Sequence, residues 1–172
     1  MNISPAREEQ LEAAFSVIVR SRDALDARGI LQWDPAYPDR LFLQQSIADG
    51  SLFILADEEG IQGVVVLNET QLPEWSTAAW QDRDGRALVI HALAITPECQ
   101  GRGYGRALMR FSEALARTRG YTSIRLDAFS GNENTVRFYE RDGYILRGEV
   151  RLVQKRPGHQ QYYCFEKSLV QG

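Results

Sequence analysis

Three glycines alternate at Gly101, Gly103 and Gly105 in the stretch ECQGRGYGRALMRF, with Arg102 and Arg106 among them and an apolar helical pattern directly behind. That combination suits anion binding. The first N–H groups of a helix have no intrahelical acceptor, and the helix dipole adds positive potential at the same end. Glycines let the backbone come close, so several N–H groups can converge on one phosphate. On these residues alone, a glycine-rich turn with no ligand stays open as the alternative. Two known phosphate loops do not fit. A Walker loop ends in Gly-Lys-Ser/Thr, and this chain has Gly105-Arg106-Ala107. The dinucleotide fingerprint, counted from Gly101, needs its third glycine where Arg106 stands. Asp127 lies about 20 residues on, as that fingerprint wants, but carries little by itself.

Such a loop needs a strand before it and a helix after it, and the pattern supplies both. ALVIHALAI (87–95) is an apolar run typical of a strand buried on both faces. Leu108, Phe111 and Leu115 share one face of a helix that runs to about Arg119 and stops at Gly120. Earlier in the chain, a short extended entry leads into a first helix, which Ser4 is placed to cap. Pro5 suits its first position, Glu8 and Glu9 suit its positive end, and Leu11, Ala14, Phe15, Ile18 and Leu25 repeat at helical spacing. A loop at 30–38 and a second helix at 39–50 follow. SLFILA (51–56) and IQGVVVLN (61–68) read as a hairpin around a charged, glycine-containing turn, and 69–86 reads as a long polar loop. SIRLDAF (123–129) alternates as a strand, 133–143 is a short helix, and YILRGEVRLV and HQQYYCFEKSL are two final strands. The order predicts an α/β domain with a mixed sheet.

Size and composition narrow the class. The 172 residues fit one domain with a real core, and 44% hydrophobic with 25% charged content is ordinary for a globular protein. A formal net charge of -3 argues against a general nucleic-acid binder. Cys99 and Cys164, far apart, form neither a disulfide framework nor a zinc site, so a reducing cytoplasm is the expectation. No apolar run approaches the ~20 residues that span a membrane, and the first residues show no signal-peptide pattern.

The segment LAITPECQGRGYGRALM resembles the acetyl-CoA signature of the GNAT-type N-acetyltransferase superfamily, Gln/Arg-x-x-Gly-x-Gly/Ala after a strand and a Pro-containing turn. Here these are Gln100, Gly103, Gly105 and Pro97. NENTVRFYERDGY (132–144) is similar to the same family's Asn-rich helix start, Phe-Tyr pair and closing Gly-aromatic. The resemblance covers roughly residues 51–168. It implies a GNAT fold: a mostly antiparallel sheet, splayed at the cofactor-binding strand and flanked by helices, in a single domain over 1–172.

The resemblance also implies roles. Backbone groups of Leu93 and Ile95 would hold the pantetheine arm like a missing strand. The N–H groups of Gly101, Arg102, Gly103, Tyr104, Gly105 and Arg106 would hold the pyrophosphate behind Gln100. Asn132 matches the asparagine that contacts the cofactor arm; Asn134, two residues later, is the weaker claimant to that contact, with helix capping as its plain alternative. Tyr139 matches the tyrosine that protonates the departing thiolate; packing on the sheet is its plain alternative. HALAI (91–95) resembles a strand of arylalkylamine N-acetyltransferases in which a histidine relays protons, which makes His91 the candidate proton acceptor. The partner histidine of that relay is replaced by Val89, and a lone strand histidine is more often packed or solvated. Glu69 and Glu74 are weaker rivals.

Trp33, Tyr37, Trp75 and Trp80 sit in loops, where they either wall an acceptor pocket or close the edge of the core. The expected partners are acetyl-CoA and a primary amine, with no metal, nucleic acid or membrane; dimers are frequent in the family. Direct transfer in a ternary complex is expected over an acyl-cysteine at Cys99 or Cys164. A small-molecule acceptor is favoured over a protein amine, and an enzyme over a non-catalytic acyl-CoA-binding module.

Overall fold

The computed structural model describes residues 1–170; Gln171 and Gly172, the end of the expected 1–172 domain, lie outside the described residues. Seven strands follow the order β1-β2-β3-β4-β5-β7-β6 in a mostly antiparallel sheet. They are β1 (Asn2–Pro5), β2 (Leu52–Asp57), β3 (Gly60–Asn68), β4 (Ala87–Ile95), β5 (Ser123–Phe129), β6 (Ile145–Arg151) and β7 (Gln161–Ser168). The helices are α1 (Leu11–Asp26), α2 (Arg40–Ala48), α3 (Tyr104–Thr118) and α4 (Glu133–Arg141). The chain divides into two compact units, Met1–Asn68 with Ile90–Ser112, and Glu69–Val89 with Glu113–Gly172.

In the first unit, β2 and β3 are buried on both faces, as their unbroken apolar runs require. Leu52, Ile54, Val64 and Val66 share one face by the two-residue period of a strand. They form a core with Leu11, Ala14, Val17 and Ile18 of α1 and Leu43 of α2. Phe53 points the other way and meets Phe111 of α3 at 5.1 Å between ring centres. Each fully buried Leu or Ile in this cluster contributes about 1.5–3 kcal/mol. Gly63 permits the approach of α3 and β4, since a Cβ there would lie 2.7 Å from Ile95 Cδ1 and 3.2 Å from Leu108 Cδ1.

The start of the chain differs from expectation. Ser4 and Pro5 do not open a helix; they lie in β1, antiparallel to β2 with Ser4 opposite Ile54 and Pro5 opposite Phe53. A strand at the sheet edge tolerates a residue without an N–H donor. The α-helix begins at Leu11, behind a 3-10 turn at Glu8–Gln10 in which Gln10 Oε1 accepts from the Arg7 N–H at 2.9 Å. Further along, Asp39 caps α2 by accepting from the Phe42 N–H at 2.8 Å.

In the second unit, β7 lies between β5 and β6 and is antiparallel to both, while Ala87–Val89 of β4 run parallel to Ser123–Arg125 of β5. The expected long loop 69–86 contains a 3-10 turn at Pro73–Thr77 and is held by a buried charge cluster. Glu166 on β7 is 1% exposed and sits 3.2 Å from both Arg125 Nε and Arg147 Nε. Its carboxylate also accepts from the Gln81 N–H at 2.8 Å, and Arg125 donates to the Asp82 carbonyl. Arg125 lies over the Trp80 ring at 4.3 Å.

Candidate active site

The glycine loop of the first unit is built for close backbone approach. Gly101 and Gly103 have φ of 76° and 85°, left-handed values that a side chain resists, and neither would meet an atom within 4 Å on gaining a Cβ. The Ala107 N–H bonds the Gly103 carbonyl at 3.0 Å. Among the described residues, the N–H groups of Gly101, Gly103, Tyr104 and Gly105 find no acceptor. Donors at the start of a fifteen-residue helix, without partners and lined with exposed glycines, fit a phosphate-bearing ligand. Arg102 and Arg106 are both exposed beside them. The Tyr104 side chain turns away from any such ligand: its hydroxyl donates to Asp57 Oδ2 at 2.8 Å and ties α3 to the end of β2.

The strand before the loop departs from the simple alternation. Ala92 has φ of 50°, a bulge-like interruption that breaks the two-residue period between His91 and Leu93. The faces of Leu93 and Ile95 therefore do not follow from that of His91. The Ile95 carbonyl already accepts from Ser21 Oγ at 3.0 Å and Gln100 Nε2 at 3.3 Å. Both of its lone pairs are engaged, which removes this carbonyl from the expected pantetheine-binding set. His91 is half-buried, with Nε2 at 2.9 Å from Asn68 Oδ1. Trp33 packs against the helical core cluster, and Tyr37 tilts against Phe42 at 5.0 Å, so both serve the core of this unit.

Asn132 and Tyr139 lie in the second unit, at and on α4. Asn132 is 3% exposed and its Oδ1 accepts from the Thr135 N–H at 3.4 Å, so the capping role given as the alternative for Asn134 belongs to Asn132. Asn134 is exposed. Tyr139 is 6% exposed, its ring set among Phe138, Tyr144 and Phe165. Among the described residues its hydroxyl has no hydrogen-bond partner. Burial, and then the charge of Asp127, push its ionisation far above the ordinary phenol range, so it is a protonated donor at neutral pH. Trp75 and Trp80 do not wall an open pocket. They are 2% and 8% exposed, pack together at 5.5 Å, and spend their indole N–H groups on Asp127 Oδ2 (3.1 Å) and the Trp75 carbonyl (2.9 Å). A buried indole needs a partner for its N–H, and the fold supplies one for each.

Residues 19–144 match the family described as "Acetyltransferase (GNAT) family". The chain belongs to the GNAT acetyltransferase family. Over 172 aligned residues it is 29% identical to an "Uncharacterized N-acetyltransferase YesJ" of Bacillus subtilis, covering 96% of this chain and 88% of that one. It is 33% identical over 73 residues to the streptothricin acetyltransferase of Streptomyces lavendulae, covering 42% of this chain and 36% of that one. A GNAT-family acetyltransferase structure from Streptococcus agalactiae superposes with a TM-score of 0.81 at 18% identity, over 97% of this chain and 94% of that one, which shows the fold.

Sequence reasoning left one residue of this acetyltransferase unused. Asp127 stands on β5 opposite Cys164 of β7 and accepts the Trp75 indole N–H. Burial pushes its carboxyl up to about 6, against the Trp75 donor and the Lys155 ammonium, which pull it down. Burial and Asp127 together push the Cys164 thiol up to about 12, so this acetyltransferase carries a protonated, unreactive thiol there. The signal in the sequence was SIRLDAF itself, where Arg125 and Asp127 put two charges on one face of an otherwise apolar strand.

Proposed function

We propose that this acetyltransferase moves the acetyl group of acetyl-CoA onto a primary amine of a small molecule, by direct transfer in a ternary complex in the cytoplasm. The supporting observation is the row of acceptor-free N–H groups at Gly101, Gly103, Tyr104 and Gly105, which suits the pyrophosphate of CoA. The amine nitrogen attacks the thioester carbonyl, the C–S bond breaks, and the Tyr139 O–H gives its proton to the departing sulfur. The unpartnered hydroxyl of Tyr139 supports that role, because a pure acyl-CoA binder has no use for a donor left open there. The raised thiol of Cys164 supports transfer without a cysteine intermediate. The streptothricin acetyltransferase relative supports a small-molecule acceptor. His91, whose Nε2 lies 2.9 Å from Asn68 Oδ1, is the group assigned to take the amine proton.

A panel of small amines and peptides incubated with acetyl-CoA tests this reading. Amine-dependent release of the CoA thiol, with products one acetyl group heavier, is expected for small primary amines. Release only with peptides would move the acceptor to proteins, and none with any amine would end the proposal.

A further inference from the structure

Glycines let the loop come close to a ligand, and the same freedom leaves the loop with little order of its own. Its two ends must be held from outside, and the first unit holds them with one carboxylate. Asp57 closes β2 at the tip of the β2–β3 hairpin, opposite Gly60. Its Oδ2 accepts from the Tyr104 hydroxyl at 2.8 Å, and Tyr104 is the first residue of α3. Its Oδ1 accepts from the Glu59 N–H at 2.9 Å and from Gln62 Nε2 at 3.3 Å. Gln62, itself buried, carries the contact onward. Its Oε1 accepts from Thr96 Oγ1 at 2.8 Å, and its backbone carbonyl accepts from the Thr96 N–H at 2.9 Å. Thr96 is fully buried and directly follows β4. Asp57 therefore reaches both ends of the segment 97–103, Thr96 on the strand side and Tyr104 on the helix side. Between those ends the backbone bonds are short turns, from the Cys99 N–H to the Thr96 carbonyl at 2.9 Å and from the Arg102 N–H to the Cys99 carbonyl at 3.4 Å. Helix formation does not ask for an aromatic residue between Gly103 and Gly105, still less for one whose hydroxyl is bound 47 residues away.

We infer that Asp57 is a positioning residue for the CoA pyrophosphate: through Tyr104 on one side, and through Gln62 and Thr96 on the other, it fixes the separation of the loop's two ends and keeps the N–H groups of Gly101, Gly103, Tyr104 and Gly105 ordered before the ligand arrives. A loop already ordered binds more tightly, because less freedom is lost on binding. A carboxylate suits this place, since hydrogen bonds to a charged acceptor are stronger than those between neutral groups. The Tyr104 hydroxyl, against burial, holds the Asp57 carboxyl below the usual carboxylate range, so it is an ionised acceptor at neutral pH. Asp57 acts only through other residues, so its effect falls on cofactor binding and not on the chemical step. The sign of that effect is diagnostic. By charge alone, removing an anion near a phosphate site tightens phosphate binding; removing this one loosens it.

The inference rests on the reading that this loop holds the pyrophosphate, and the test separates the two. The CoA dissociation constant is measured by calorimetry, well below the melting temperature of every variant, together with kcat and both Michaelis constants for one primary amine. The proteins are the wild type, Asp57→Ala, Tyr104→Phe, their double variant and Ile18→Val. Asp57→Ala and Tyr104→Phe should each weaken CoA binding about tenfold, the scale of one hydrogen bond to a charged group. The KM for acetyl-CoA should rise alike, with kcat and the KM for the amine unchanged. A merely structural contact would lower the melting temperature and leave the dissociation constant alone. The double variant should bind CoA no more weakly than Asp57→Ala, because both changes cut the same contact. Tyr104→Phe keeps the half-buried ring and loses a single bond, so it carries the test if Asp57→Ala does not fold. Ile18→Val, in the core of the same unit, lowers stability away from these contacts and should bind CoA as the wild type does. An unchanged or tightened CoA affinity in Tyr104→Phe, a loss confined to kcat, effects that multiply in the double variant, or weakened binding in Ile18→Val overturns the inference alone. A wild type that binds no CoA, or a Gly103→Asp variant that binds it with wild-type affinity, overturns it together with the assignment of the loop.

Discussion

Tyr139 holds its ring in the core and its hydroxyl open, and those two facts separate packing from chemistry. Tyr139→Phe keeps the ring among Phe138, Tyr144 and Phe165 and removes the donor. Turnover should fall roughly ten- to a thousandfold while CoA affinity, measured by calorimetry, stays the same, as expected for an interaction made in the transition state. An unchanged turnover would leave Tyr139 a packing residue. This tyrosine was legible because it stands in a block of local spacing, Asn132 to Tyr144. Asp127 and Trp75 were not, because their meaning comes from a contact across 52 residues of chain. Of the two readings the sequence left open for Trp75 and Trp80, their packing into the core is set by non-local contacts of the same kind. A loop that looks polar in sequence can be folded down by a distant carboxylate, and Glu166 does this.

That carboxylate organises a whole element. Residues 69–86 lack a long helix or strand, and their order depends on Glu166, Arg125 and Arg147. Glu166→Gln would leave two guanidinium groups facing a neutral amide, Arg125 being only 8% exposed at its side chain. Breaking a buried pair from one side costs about 3–5 kcal/mol, so the urea midpoint should fall accordingly. A loss under about 1 kcal/mol, the range of exposed pairs, would mean that the cluster does not hold the loop. At this scale the sequence showed the β2–β3 hairpin, the buried run of β4 and the glycine turn into α3, all of which are local patterns. It showed only a short extended entry where β1 stands and gave Ser4 and Pro5 to the helix, because Ser-Pro followed by acids is also how a helix begins, and pairing with β2 outweighed that preference. It did not show the interruption at Ala92, since alanine advertises no left-handed residue.

At the scale of the molecule, the sequence order of helices and strands pointed to a mixed sheet, but the placement of β7 between β5 and β6 is a non-local pairing that periodicity does not encode. Among the described residues no helix is long and apolar enough to cross a membrane. The claim on which the rest depends is that the loop at Gly101–Arg106 holds the pyrophosphate of CoA, and ligand-linked melting tests it most directly. A ligand that binds only the native state raises the melting temperature by linkage. CoA should raise that of the wild type, whereas NADH and ATP should give no comparable rise. Gly103→Asp adds a carboxylate at a position with open space and φ of 85°, and should abolish the rise. Gly103→Asn makes the same demand on the backbone without the charge and should keep part of it. A CoA-induced rise in Gly103→Asp equal to that of the wild type would contradict the claim.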